Sequence, residues 1–377
     1  MFVNSVRSTR AEARALPRGD VAFVGCAECG LAWNRLFEPE RLVFDPTYNP
    51  DQAGSPTFDA HFAAVADRVA AACAGLDRVD LLEVGCGQGD FLQALVDRLG
   101  ARVRTARGYD PALWGGVPRF HDPRITVARR YFDDSAVATL DAAPNVVVSR
   151  HVVQHVADPG ALFRALRRAM ASREGAEATT PAAAMLFLET LDGAWIFDHR
   201  STYDLFYEHC CIYDPRSIAR VLRDASFGVS SVESLFSGQY MLVTAGVGPS
   251  TDTFVAPPPV ARRSLLDSDR AFISEWRRRL QTARAEGPVL LWGAGAKGAS
   301  FCAMVDPEAL LLDGVVDIHA GKQGRFIPVT GHAIFAPSDP LVAQARLVVV
   351  CNGNYVEEIR ASLASRGLTP DLRTLED

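Results

Sequence analysis

Three chemically capable side chains stand side by side at Tyr207, Glu208 and His209, in the run DLFYEHCCIYDP at 204–215. A phenol, a carboxylate and an imidazole in one loop can hold a substrate, orient it and remove a proton. A second group lies earlier. The run LLEVGCGQGDF at 81–91 spaces Gly85, Gly87 and Gly89 as Gly-x-Gly-x-Gly around Cys86, with Glu83 just ahead in an apolar stretch. Glycines there let the backbone turn sharply and approach a ligand. Glu83 needs a cationic or N–H partner, because an unpaired carboxylate among apolar residues is costly. Asp110, in GYDP, follows Gly89 by 21 residues. A carboxylate at that spacing can accept two ribose hydroxyls. Arg150 and His151 close a third apolar run. His155 is a further acid–base candidate, with Gln154 beside it.

These groups need elements that bring them to one edge. The pattern predicts a helix over 59–76 and a buried parallel strand at Leu81–Val84, apolar but for Glu83. It predicts an amphipathic helix after the glycine turn, with Phe91, Leu92, Leu95, Val96 and Leu99 inward. Further strands are expected at Val103–Tyr109, Val146–Ser149 and Met185–Glu189. Asp214-Pro215 opens a helix, Asp as N-cap and Pro at N1. Val229–Phe236 and Tyr240–Val247, joined by Ser237-Gly238, must pair antiparallel. Three consecutive prolines make 249–259 a linker. Beyond it, Val289–Trp292, the turn GAGAKG, a helix start at Ala299–Val305 and a strand at Val315–Ile318 ending near Asp317 form another nucleotide-binding half-fold. Lys297 there suits an anionic phosphate.

A mostly parallel sheet closed by an antiparallel hairpin resembles the class I methyltransferases that use S-adenosylmethionine (SAM). A nicotinamide dinucleotide site expects Gly-x-Gly-x-x-Gly, and the third glycine here comes one residue early. The resemblance implies that Glu83, Gly85, Cys86, Gly87 and Asp110 bind SAM, with Tyr131 and Phe132 flanking adenine and Arg150 and His151 at the same edge. FYEH, IYDP, SIARVLRDASF and SGQYMLV resemble the C-methyltransferases of nucleotide-linked deoxysugars in natural-product pathways. So do WGAGAKGASF, VVDIHAGKQGRFIP and GHAIFAP. This implies an α/β fold in three parts: a small Cys-containing N-terminal domain (1–58), a SAM domain (59–248) and a second Rossmann-like, substrate-binding domain (249–377).

In that family a proton leaves the carbon beside a ketone, and the enolate takes the methyl group. His209 is then the general base, Glu208 orients it or binds a sugar hydroxyl, and Tyr207 or His155 assists. Tyr48, in PTYNPDQAGSPTF, lies in the family's lid strip, and Lys297 meets the diphosphate. Two departures stand out. Phe206 occupies the family's usual Tyr position. Of the four zinc-binding cysteines only Cys26 and Cys29 remain, and two thiolates do not complete a tetrahedral site, so no metal ligand is assigned. Two alternatives stay open: a methyltransferase for another small-molecule O, N or C acceptor, and a SAM-fold scaffold without catalysis.

Composition narrows the rest. The chain has 377 residues, a net charge of −6 and 8 cysteines that sit singly or in one Cys-x-x-Cys, apart from the adjacent Cys210 and Cys211. An acidic chain without a basic block argues against nucleic acid as partner. No apolar run is long enough to span a membrane. The Arg-rich start lacks an apolar core, so no secretory signal is expected. Cysteines of this kind fit a cytoplasmic protein.

Overall fold

Leu81–Val84 lacks the alternation of a half-exposed strand, and it lies covered on both faces, as an inner parallel strand must. The structure is a computed structural model. It describes residues 4–42, 44, 54–113, 120–171, 184–247, 251–258 and 266–376.

Strands β1 (Phe23–Gly25) and β2 (Ala32–Asn34) form an antiparallel hairpin whose tip carries Cys26 and Cys29. The large sheet contains β3 (Val79–Val84), β4 (Val103–Tyr109), β5 (Ile125–Ala128), β6 (Val146–Arg150) and β7 (Met185–Leu191). A short β8 (Cys211–Ile212) lies outside this sheet and pairs antiparallel with β2. The hairpin β9 (Phe227–Leu235) and β10 (Tyr240–Val247) completes it. The order is β5-β4-β3-β6-β7-β10-β9, parallel from β3 to β7, with β10 antiparallel to both neighbours. This is the expected class I arrangement. A second sheet contains β11 (Val289–Trp292), β12 (Gly314–Val316), β13 (Ile334–Phe335), β14 (Leu347–Val350) and β15 (Asp371–Thr374). It is parallel throughout, in the order β13-β12-β11-β14-β15.

Local chemistry sets the element ends. The helix expected at 59–76 runs Pro56–Ala72. It starts earlier because Ser55 Oγ accepts the Phe58 N–H and Pro56 suits the first turn. It stops earlier because the Arg102 guanidinium takes the carbonyls of Cys73, Ala74 and Leu76. The helix Pro215–Asp224 begins as expected, with a reciprocal Asp214–Ser217 cap. β12 ends before Ile318 because Asp317 turns inward and accepts the N–H groups of Ala294 and His319.

Contacts cross between the parts. The helix Arg10–Arg14 docks on the second sheet's loops: the Val329 N–H donates to Ala13 O, and Arg14 donates to the carbonyls of Thr330 and Glu308. Tyr203 and Phe206 of the loop after β7 belong to the apolar core of the second sheet, with Trp276 and Phe301. Residues 252–258 of the expected linker carry neither helix nor strand. Among the described residues no helix is long and apolar enough to cross a membrane.

The helix Ala296–Val305 leans tightly on its own turn. A Cβ added at Gly298 would meet the Gly293 carbonyl oxygen at 1.9 Å. Gly298→Ala should cost about 1–3 kcal/mol, as overpacking does. A urea titration should show an earlier midpoint than wild type; an unchanged midpoint would mean that the turn relaxes freely.

Candidate active site

One cavity of about 920 Å³ lies between the carboxyl ends of the parallel strands of the two sheets. Its volume is at the upper end of the usual range for small-molecule sites. The glycine turn after β3 and the residues after β4, β5 and β6 line one side. The turn after β11 and residues after β12 and β14 line the other, with Asp204, Phe206 and His209 between.

The glycine turn has all three glycines at positive φ: Gly85 at +75°, Gly87 at +53° and Gly89 at +86°. These values favour glycine. A Cβ at Gly85 would strike Val152 Cγ2 at 2.0 Å, whereas a Cβ at Gly87 would meet nothing within 4 Å. The backbone at Gly87 therefore faces open space. Asp110 ties the turn to β4: its two carboxylate oxygens accept from the N–H groups of Gly87 (2.9 Å) and Ala112 (2.7 Å). Each oxygen keeps capacity for another donor. Burial raises the Asp110 pKa, against those two bonds. Cys86 is buried in the lining, and burial pushes its thiol pKa up. Phe132 is buried against Tyr109, whereas Tyr131 is exposed; both reach the lining.

Glu83 is buried, and burial pushes its pKa up to about 8 despite the Arg150 charge nearby. Its Oε2 has no hydrogen-bond partner among the described residues; neither has Arg150 Nη2. Arg150 Nε donates to Glu189 Oε2 at 2.6 Å, and its guanidinium stands 4.3 Å from the Phe91 ring centre. Glu189 also meets His61 Nε2 at 2.5 Å and His151 Nε2 at 3.5 Å. Burial alone would raise its pKa, but Arg150, His151 and His61 outweigh burial and hold it well below the carboxylate range. His151 itself has φ +54°, a strained value for a non-glycine residue, held by its N–H to the Glu189 carbonyl.

The two other histidines are oriented alike. His209 Nδ1 lies 2.9 Å from the Asp204 carbonyl, and His155 Nδ1 lies 2.7 Å from the Glu208 carbonyl. A carbonyl only accepts, so both rings carry the proton on Nδ1 and a lone pair on Nε2. Burial lowers the His155 pKa to about 4 and holds His209, beside His155 and Lys297, well below the imidazole range. Burial therefore keeps the His209 ring neutral.

Three further expectations change. Tyr207 lies outside the lining; its hydroxyl accepts the Glu38 N–H at 2.9 Å and its ring packs on Phe37. Phe206 takes the inward place, its ring centre 3.8 Å from that of His209. Glu208 is fully buried and also outside the lining, so a backbone carbonyl rather than this carboxylate orients His209. Lys297 lines the cavity, but its charge is paired with Asp204 Oδ2 at 2.9 Å, and Gln239 Oε1 lies at 3.2 Å. Tyr48 lies outside the described residues. Among the described residues no group of three or more His, Cys, Asp or Glu is placed to hold a metal.

Residues 58–232 match the model of a methyltransferase domain, and residues 270–367 match that of a C-methyltransferase C-terminal domain. The chain is a SAM-dependent methyltransferase. The chain is also similar to solved structures. The magnesium protoporphyrin IX methyltransferase of Synechocystis PCC 6803 with bound SAH has 15% identity over 53% of this chain and 91% of its own, at a TM-score of 0.38. A SAM-dependent methyltransferase from Aquifex aeolicus has 16% identity over 56% of this chain and 99% of its own, at 0.39. One from Mesorhizobium loti has 16% identity over 48% and 96%, at 0.35. No curated protein gives a significant match.

The chain's own residues fit the cofactor. The unpartnered Glu83 Oε2 and Arg150 Nη2 have the opposite polarities that an amino acid's ammonium and carboxylate require. The uncrowded Gly87 backbone leaves room beside them. Sequence reasoning missed Glu189, His61 and Asp204. Glu189 carried a usable signal, the same one as Glu83: a lone acid in an apolar strand.

Glu83 is mostly protonated below its pKa of about 8, and an ammonium prefers the carboxylate. SAM binding at pH 7 should therefore expel a proton, and affinity should rise from about pH 6 to about pH 8. Calorimetry in buffers of different ionisation enthalpy reads this release. Glu83→Gln should abolish it; a wild type that binds without releasing a proton would place the ammonium elsewhere.

Proposed function

We propose that this methyltransferase transfers the methyl group to carbon, on a nucleotide-linked keto-deoxysugar or a related natural-product intermediate. The carrying observation is the single cavity that runs from the glycine turn, past His209, to the turn of the second parallel sheet. Such a cleft has room for two molecules, one at each nucleotide-type edge. In this reading Glu83, Gly85, Gly87 and Asp110 hold SAM, with Arg150, His151, Tyr131 and Phe132 at its rim. The 270–367 match to a C-methyltransferase C-terminal domain supports carbon as the acceptor.

Bound SAM supplies an electrophilic methyl group. Carbon must then be made nucleophilic by removal of a proton beside a carbonyl. His209 Nε2 takes that proton; Nδ1 stays bonded to the Asp204 carbonyl, which stabilises the imidazolium as it forms. His155, with rings centred 5.0 Å apart, is the next acceptor. Burial keeps both neutral and excludes competing water.

A second reading has one observation in its favour. Phe206 faces the cavity where the resemblance expects a hydroxyl. A small-molecule acceptor that needs no hydrogen bond there would fit that surface.

His209→Gln keeps polarity and removes the base. With a nucleotide-linked 4-keto-deoxysugar, turnover should fall about 10²–10⁴-fold, with SAM affinity unchanged. Solvent deuterium should enter the acidic carbon with wild type and not with the variant. Normal turnover by the variant would exclude His209 as base and point to an oxygen or nitrogen acceptor.

A further inference from the structure

The cation nearest the 202–209 segment is built into the protein rather than held out to a ligand. Lys297 is the second residue of the helix Ala296–Val305, at the edge of the second sheet. Its Nζ donates to Asp204 Oδ2 and Gln239 Oε1, under the rings of Trp195 (5.4 Å) and Tyr203 (5.6 Å). Gln239 sits in the turn between β9 and β10 and exchanges two 2.9 Å amide bonds with Asn352, just past β14. Asp204 Oδ2 also accepts from Ser201 Oγ at 2.6 Å. Three distant segments thus meet at one ammonium, and the backbone carbonyl of its acid partner receives the His209 Nδ1–H.

We infer that Lys297 is a positioning residue for His209: by neutralising Asp204 it fixes the 202–204 turn, whose last carbonyl selects the His209 tautomer that leaves Nε2 free to take a proton. The functional part of this inference rests on His209 acting as the base. The physical part does not. The Asp204 side chain is 4% exposed, and that of Lys297 is 14% exposed. A carboxylate so placed is tolerable with an ammonium against it and costly without one. Without Lys297, Asp204 must either gain a proton or swing toward water. A swing carries its own carbonyl along, and a 2.9 Å hydrogen bond does not survive a displacement of about 1 Å; a proton on the carboxyl removes the ion pair that fixes the turn. An anionic ligand at Lys297 would have to displace a carboxylate that is already in place.

The test reads the tautomer directly. Protein labelled with 15N-histidine and loaded with S-adenosylhomocysteine is observed at neutral pH by long-range 1H–15N NMR, with His209→Gln assigning the ring. Wild type should show His209 protonated on Nδ1 alone. Lys297→Met should shift the equilibrium toward the Nε2–H form by about 2- to 12-fold, the worth of one hydrogen bond. Lys297→Arg should restore the wild-type pattern. If Lys297→Met does not fold, Asp204→Asn serves: it keeps the carbonyl, loses the ion pair and should shift the tautomer likewise. Unchanged His209 signals in whichever variant folds would overturn the inference. So would weakened binding of thymidine diphosphate or uridine diphosphate by Lys297→Met with those signals intact, which would make Lys297 an acceptor ligand. No acceptor turnover enters the measurement, so a failure of the base assignment is seen separately, in His209→Gln kinetics.

Discussion

The parallel strands of two sheets end on one cavity, and the buried polar groups along that edge must be matched by the protein itself. This constraint organises the site. Glu189 sits at the end of β7 where an unpaired carboxylate would be untenable, and Arg150, His61 and His151 converge on it. The Glu189 backbone takes part as well, its carbonyl accepting the N–H of the strained His151. Asp204 faces the same demand one loop later and is met from the other sheet by Lys297. The two acids anchor the two walls. Glu83, Arg150 and His151 are among the exceptions, each with a buried atom that has no hydrogen-bond partner among the described residues. The places where satisfaction is incomplete are where a charged ligand has most to gain.

The histidines follow from the same constraint. Backbone carbonyls, not side-chain acids, receive the Nδ1 protons of His155 and His209. A carboxylate in that role would raise the ring's pKa and invite a resident proton. A carbonyl fixes orientation with much less charge, and burial then keeps the ring neutral. The arrangement gives up basicity and gains a lone pair that is always available.

Much of the architecture was legible in the sequence because strand runs such as Val146–Ser149 and Tyr240–Val247 are mostly apolar and bounded by turn residues. Glu83, Asp110 and the three glycines were legible because their spacing is tied to backbone geometry. The 204–209 loop was legible only as a cluster. Which of three adjacent residues faces inward depends on φ and ψ in an irregular segment, and no periodicity reports those. Tyr207 therefore pairs with Glu38 rather than entering the cavity. The Lys297–Asp204 pair joins residues 93 positions apart, and neither run names the other. Glu189 was readable by the rule already applied to Glu83.

The docking of the first helix has a consequence for the order of assembly. Arg14 closes on the carbonyl of Thr330, 316 residues later, and Ala13 receives the Val329 N–H. At translation rates of about 5–20 residues per second, the arm emerges roughly 15–60 s before its seat exists. The large sheet can form in that interval, since its strands lie between Val79 and Val247. The arm is then a late fastening, made only once both sheets are in place.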